Sequence, residues 1–97
     1  MNFSENNFTA KVELLFFSAE WCDPCKWAAP IVNEVIKNSE GKISLTKIDI
    51  DTNVALAKQH HVLSVPTLVL FKEGKEVWRM RGFDTAKNLE RIFEEHI

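Results

Sequence analysis

The sequence predicts an α/β fold in which a central mixed sheet of four strands, five at most, is flanked by helices. Three observations carry that expectation. Val12 to Ser18 (VELLFFS) is a short apolar run between polar residues, the pattern of a buried strand. A helical stripe and an alternating strand follow it, as in a parallel strand–helix–strand unit. Beyond these, two short strand-like runs flank Lys72-Glu73-Gly74-Lys75, a turn signal. At 97 residues, 45% hydrophobic and 27% charged, the chain suits one domain over residues 1–97, with room for a modest core.

The elements follow in order. The first eleven residues are mostly polar, with Phe3 and Phe8 the expected contacts to a core. From Ala28, apolar residues recur at Ile31, Val32, Val35 and Ile36, one face of an amphipathic helix ending near Ser39, before Gly41. Pro30 lies inside it, so a kink is expected where the ladder loses an N–H. Ile43 to Ile50 (ISLTKIDI) alternates as a strand does. Asp51 or Thr52 is the expected cap of a short helix to about Gln59, with Val54, Ala55 and Ala57 available for packing and His60-His61 at its end. Thr67 to Phe71 (TLVLF) is a further buried strand, and Glu76 to Met80 (EVWRM) pairs back onto it. After Gly82, Thr85 caps a last helix that turns Leu89, Ile92 and Phe93 inward. The right-handed crossover lays the first helix over the first two strands. Cys22 then falls at the carboxyl end of the first strand, where open α/β sheets place their chemistry.

Composition narrows the function. Twelve basic and fourteen acidic residues give a net charge of -2, and the lysines are scattered, so no nucleic-acid face is expected. The N-terminus lacks a basic leader, and Leu14 to Phe17 is too short for a signal core or a membrane span. The expected setting is cytoplasmic, the expected state a monomer. In a reducing compartment a lone pair of cysteines is more often catalytic or metal-binding than a structural bridge.

Both cysteines lie in EWCDPCK, Glu20 to Lys26. A structural zinc site needs four ligands, and only His60, His61 and His96 could complete one; the adjacent pair aims poorly at one ion, so no metal is expected. Two cysteines packed only as small core residues remain the bland alternative. A redox pair accounts for more. A helix N-terminus offers unpaired N–H donors and a partial positive charge that favour a thiolate, the reactive form. Cys22 is therefore the expected nucleophile and the more exposed sulfur, with Cys25 one turn later as the resolving thiol. Pro24 fits the first turn, where its missing N–H costs little. Attack of Cys22 on a substrate disulfide, followed by attack of Cys25 on Cys22, would release a reduced substrate.

These residues resemble the thioredoxin family from about Val12 to the C-terminus. FFSAEWCDPCK is similar to its active-site segment, with Trp21 preceding Cys22; Pro30 matches its helix proline; KIDID (Lys47 to Asp51) resembles the strand that carries a family lysine. SVPTLVLFKEGK (Ser64 to Lys75) resembles its proline loop, strand and turn. The resemblance implies a thioredoxin-like fold truncated at the N-terminus, since only 21 residues precede Cys22, with at most a remnant fifth strand near Phe3. It implies a cis bond between Val65 and Pro66, and a shallow docking surface of Trp21, Ile50, Val65, Pro66, Gly82 and Phe83 beside the sulfur. It also implies a protein-disulfide reductase with no bound cofactor beyond a redox-active Cys22–Cys25 disulfide, disulfide-containing protein substrates, and recharging by a thioredoxin reductase or equivalent donor.

The chain departs from the family pattern twice more. Phe16 stands where a buried acid is usual, so Lys47 loses a partner and must snorkel or pair elsewhere, and the proton of Cys25 must use water, Glu20 or Asp23. Asp23 replaces the usual glycine. An anion about 6 Å from Cys22 costs a thiolate roughly 0.7 kcal/mol in water and about 3 at an effective dielectric of 20. With both groups partly exposed the low end applies, making Cys22 somewhat harder to ionise and the couple slightly more reducing. Asp23 also has a simpler use, as an acid at a helix N-terminus. Two other functions stay open at this point: a dedicated reductant of one partner enzyme, and a non-catalytic binding or scaffold subunit.

Overall fold

The computed structural model describes residues 11–97. Seven elements run along them: β1 (Val12–Ser18), α1 (Asp23–Asn38), β2 (Ile43–Asp49), α2 (Val54–Gln59), β3 (Thr67–Lys72), β4 (Lys75–Arg81) and α3 (Ala86–Glu94). The described sheet has four strands in the order β2-β1-β3-β4. The expected core contacts of Phe3 and Phe8, and any fifth strand near Phe3, lie outside the described residues.

β1 is central because its side chains are apolar on both faces. It pairs parallel with β2 from Val12↔Ile43 to Ser18↔Asp49, and antiparallel with β3 from Val12↔Lys72 to Phe17↔Thr67. Alternation then sorts its residues. Val12, Leu14 and Phe16 join Leu68, Leu70, Val32, Val35, Leu89 and Phe93 in the core beneath α1 and α3. Leu15 and Phe17 join Ile48 and Val69 on the opposite face, where Leu56 of α2 packs. Helices on both faces explain why β1 and β3 read as continuous apolar runs rather than alternating ones.

The helices differ in how they end. α1 starts at Asp23 with Cys22 as its N-cap and continues past Pro30 to Asn38; the Ser39 hydroxyl donates to the Ile36 carbonyl at 2.7 Å. Gly41, at φ +85°, then turns the chain toward β2. Asn38 Nδ2 donates to Glu90 Oε2 at 2.7 Å, tying α1 to α3. Thr85 caps α3 as expected, its side chain accepting from the Asn88 N–H at 3.2 Å. Nearby, Asp84 accepts from the Thr85 N–H and from Asn88 Nδ2, bonds that hold its carboxyl below the usual range.

α2 corrects the expectation. Its N-cap is Asn53, without a side-chain cap bond, rather than Asp51 or Thr52. Both of those side chains are engaged elsewhere: Asp51 accepts from the Trp21 indole, and Thr52 Oγ1 donates to the Asp49 carbonyl. The helix buries Ala57 and packs through Leu56, while Val54 and Ala55 face outward. Six residues make less than two turns, so tertiary contacts decide the inward face.

The last two strands form the expected hairpin around Glu73 and Gly74, both at positive φ, as a tight two-residue turn requires. Arg79 of β4 reaches across to donate to the His60 carbonyl at 2.7 Å and pairs with Glu76 at 2.9 Å. The Arg79 bond holds the Glu76 carboxyl below its ordinary range. His60 ends α2 with its ring between Phe17 and Phe71, at centroid distances of 5.7 and 5.5 Å.

Phe17 is fully buried at the centre of the α2 face. Phe17→Ala should cost about 3–5 kcal/mol by the usual penalty for emptying an aromatic site. Urea unfolding checks this; a loss below about 1 kcal/mol would mean that this face is not a packed core.

Candidate redox site at the N-terminus of the first helix

The site is built at the junction between β1 and α1. β1 ends at Ser18, four residues turn the chain, and α1 begins at Asp23. The turn is closed by the Cys22 N–H, which donates to the Ala19 carbonyl at 3.2 Å. Cys22 takes the extended conformation of an N-cap (φ −94°, ψ 107°), and its sulfur accepts from the Cys25 N–H at 3.2 Å. One of the helix's otherwise orphan donors thus points at Sγ, and the partial positive charge of the helix end lies behind it. Pro24 occupies the first turn, where no intrahelical bond is lost.

Cys22 and Cys25 are joined in a disulfide, with Cα atoms 5.3 Å apart. Both residues are buried, Cys22 at 4% and Cys25 at 3% accessible, so the expected difference in exposure is slight. Ala19 completes their small buried cluster, and Ile50 and Val65 pack on it from β2's end and the loop before β3. Backbone turns and apolar neighbours shield both positions. Among the described residues no group of three or more His, Cys, Asp or Glu side chains could hold a metal ion.

The other sequence-derived residues fall around this cluster at different depths. Val65–Pro66 is a cis peptide, and Pro66 is buried. Gly82, at φ +108°, donates its N–H to the Pro66 carbonyl at 2.7 Å, so the end of β4 braces the proline loop. The Thr67 hydroxyl braces it from the other side by donating to the Ser64 carbonyl. Phe83 packs on the core under α1 and α3, away from the cysteine cluster. Trp21 is 66% exposed, its Nε1 donating to Asp51 Oδ2 at 2.9 Å. Sequence reasoning treated Asp51 as a cap and missed this bond; with 30 residues between the partners, no local pattern signals it. Leu63, also missed, is 90% exposed two residues before Val65.

Charge at the site is lopsided. Asp23 points into solvent, 73% exposed, with its carboxylate 3.8 Å from Lys26 Nζ. Phe16 is buried beneath α1, and the Lys47 paired with it across β1–β2 is exposed and has no ion-pair partner among the described residues. Phe16, Cys25, Glu20, Lys26 and Lys47 share one surface depression of about 330 Å³.

A disulfide at a helix N-cap beside a cis-proline loop invites comparison with known proteins. The family model described as Thioredoxin matches residues 1–95. The chain belongs to the thioredoxin family. It is 38% identical over 93 residues to the thioredoxin of Staphylococcus saprophyticus, covering 96% of this chain and 89% of that protein. It is 38% identical over 98 residues to that of Staphylococcus aureus, covering 97% and 94%. Among solved structures, it matches a mutant thioredoxin from Halobacterium salinarum with a TM-score of 0.82 at 36% identity, over 90% of this chain and 75% of that one. Thioredoxin-2 of a malaria parasite, described as a component of its protein secretion machinery, matches with a TM-score of 0.87 at 30% identity, over 93% and 87%. A thioredoxin with a disulfide-forming CxxC pair is a thiol–disulfide oxidoreductase, and the fold of the described residues is thioredoxin-like.

Asp23 offers the clearest electrostatic test. Removing its charge by Asp23→Asn should raise the thiolate-to-thiol ratio of reduced Cys22 about threefold in low salt, as expected for a solvent-exposed anion roughly 6 Å away. Thiolate absorbance against pH measures the ratio. No change would show that Asp23 does not act on Cys22.

Proposed function

We propose that this member of the thioredoxin family is a protein-disulfide reductase that cycles between a Cys22–Cys25 dithiol and disulfide. The observation that carries the reading is the Cys25 N–H held 3.2 Å from Cys22 Sγ at the start of α1. That donor and the helix dipole favour charge on Cys22 whenever the disulfide opens. Cys22 is the nucleophile: its thiolate attacks one sulfur of a substrate disulfide and expels the other as a thiolate. Cys25, already one helical turn away, then attacks Cys22 Sγ, re-forms the internal disulfide and releases the second substrate sulfur. Two electrons pass to the substrate. No bound cofactor is needed, and the dithiol is restored by an external donor, a thioredoxin reductase or its equivalent.

Substrate is held beside the proline loop. No backbone hydrogen bond engages Val65 among the described residues, so its N–H and C=O are available to an extended segment laid against it, as in strand addition. Trp21, Ile50, Pro66 and Gly82 complete or support that surface, with Trp21 steadied by Asp51, while Phe83 packs on the core instead. Disulfide-containing proteins are the substrate class; no described helix is long and apolar enough to cross a membrane. We further propose that residues 1–97 act as one monomeric unit in the reducing cytoplasm.

Single-cysteine variants test the cycle. Cys25→Ser should still attack a disulfide-bonded protein and accumulate a mixed disulfide through Cys22, visible by mass spectrometry and on non-reducing gels. Cys22→Ser should lose roughly a hundredfold or more of the reductase rate, because the nucleophile itself is gone. Full activity in Cys22→Ser would leave the chain a binding module and refute the cycle.

A further inference from the structure

Completion of the cycle poses a proton problem that the buried geometry sharpens. In the mixed disulfide formed on Cys22, Cys25 is a thiol and must lose its proton before its sulfur can attack. At 3% accessibility it has almost no direct contact with bulk solvent. The depression of about 330 Å³ that Cys25 lines is a route outward. Its volume is several times the roughly 30 Å³ that one water occupies in the liquid, so a short water chain fits.

The walls of that route are Phe16 and Ala29, which neither donate nor accept a proton, and the hydroxyl-bearing Ser18 adds no strong base. Three charged side chains line it: Glu20 from the β1–α1 turn, Lys26 from α1 and Lys47 from β2. Of these three only Glu20 is a carboxylate, a group with lone pairs to accept a proton, whereas an ammonium only donates. Asp23, the other carboxylate near the cysteines, does not line the depression; it lies at the solvent-facing start of α1 against Lys26.

We propose that Glu20 is the group that takes the Cys25 proton, through water in this depression, during the resolving step. Lys26 and Lys47 act with it as positioning residues, their charges favouring the thiolate as it forms. The balance is simple. The Cys25 S–H proton passes through water to the Glu20 carboxylate, and the Cys25 thiolate forms a bond to Cys22 Sγ. The bond from Cys22 to the substrate sulfur breaks, and the substrate leaves as a thiolate that takes up a proton from solvent. The two electrons that leave with it come from the two protein sulfurs, now a disulfide.

This inference rests on the dithiol cycle proposed above, and its test separates the two. Reduced protein is mixed with an aromatic disulfide that yields coloured nitrothiobenzoate, in stopped flow from pH 5 to 9. The first thiolate reports attack by Cys22 and the second reports resolution by Cys25. Glu20→Gln should lower the ratio of the second rate to the first about tenfold near pH 6, below the roughly hundredfold or more of a directly positioned general base because an exposed carboxylate acts here through water. The ratio should converge with the unmodified protein's toward pH 9, where hydroxide and direct ionisation replace the carboxylate. Glu20→Asp should recover part of the loss. A ratio unchanged in Glu20→Gln, or lowered equally at every pH, overturns the role of Glu20 while leaving the cycle intact. If the unmodified protein releases only the first thiolate, the cycle itself fails and the inference with it.

Discussion

Everything in this molecule that bears on chemistry depends on one junction, where the buried strand β1 delivers the chain to the N-terminus of α1. β1 is held on both edges by β2 and β3 and on both faces by apolar cores, so its carboxyl end has little freedom. The turn that follows is closed by the Cys22 N–H on the Ala19 carbonyl, and the helix presents its first donors to the Cys22 sulfur. An N-cap sulfur that receives a main-chain N–H is favoured as an anion without any charged side chain nearby. The proline loop is brought to the same place by β3, the antiparallel neighbour of β1, and is braced by Gly82 and Thr67.

Much of this arrangement was legible in the residues themselves. β1 follows from an apolar run, the inward face of α1 from a three- and four-residue spacing, and the β3–β4 hairpin from the turn signal Lys72-Glu73-Gly74-Lys75. Those signals are local, which is why they survive without coordinates. The thioredoxin resemblance added the cis peptide before Pro66, which no propensity singles out from the chain's other prolines. The failures came where side chains find distant partners. Asp51 and Thr52 both look like helix caps, yet one holds the Trp21 indole and the other folds back on Asp49, so α2 starts at Asn53 instead. The burial of both cysteines has a related cause: Ile50 and Val65, 28 and 43 positions downstream of Cys22, pack on the cysteine cluster.

The residues that depart from the expected family pattern concern charge rather than fold. Phe16 buries an aromatic ring in the core beneath α1, at the place where the thioredoxin resemblance leads one to expect an acid. Lys47 is left at the surface, where an ammonium keeps its hydration. Asp23 adds a negative charge next to the nucleophile, but in solvent and against Lys26, where its field is mostly screened. A main-chain N–H at the start of α1 faces the Cys22 sulfur, whereas the Asp23 carboxylate beside it lies in solvent.

The direction of electron flow is the central claim, and the equilibrium reduction potential of the Cys22–Cys25 couple tests it most directly. Equilibration with a glutathione or dithiothreitol redox buffer at pH 7, with the oxidised fraction read by thiol alkylation and mass spectrometry, gives the value. A reductase requires a potential near or slightly below the roughly −270 mV typical of thioredoxin, the lower side reflecting the anion at Asp23. A value near the about −180 to −120 mV of disulfide-forming catalysts would contradict the account and make this chain an oxidant.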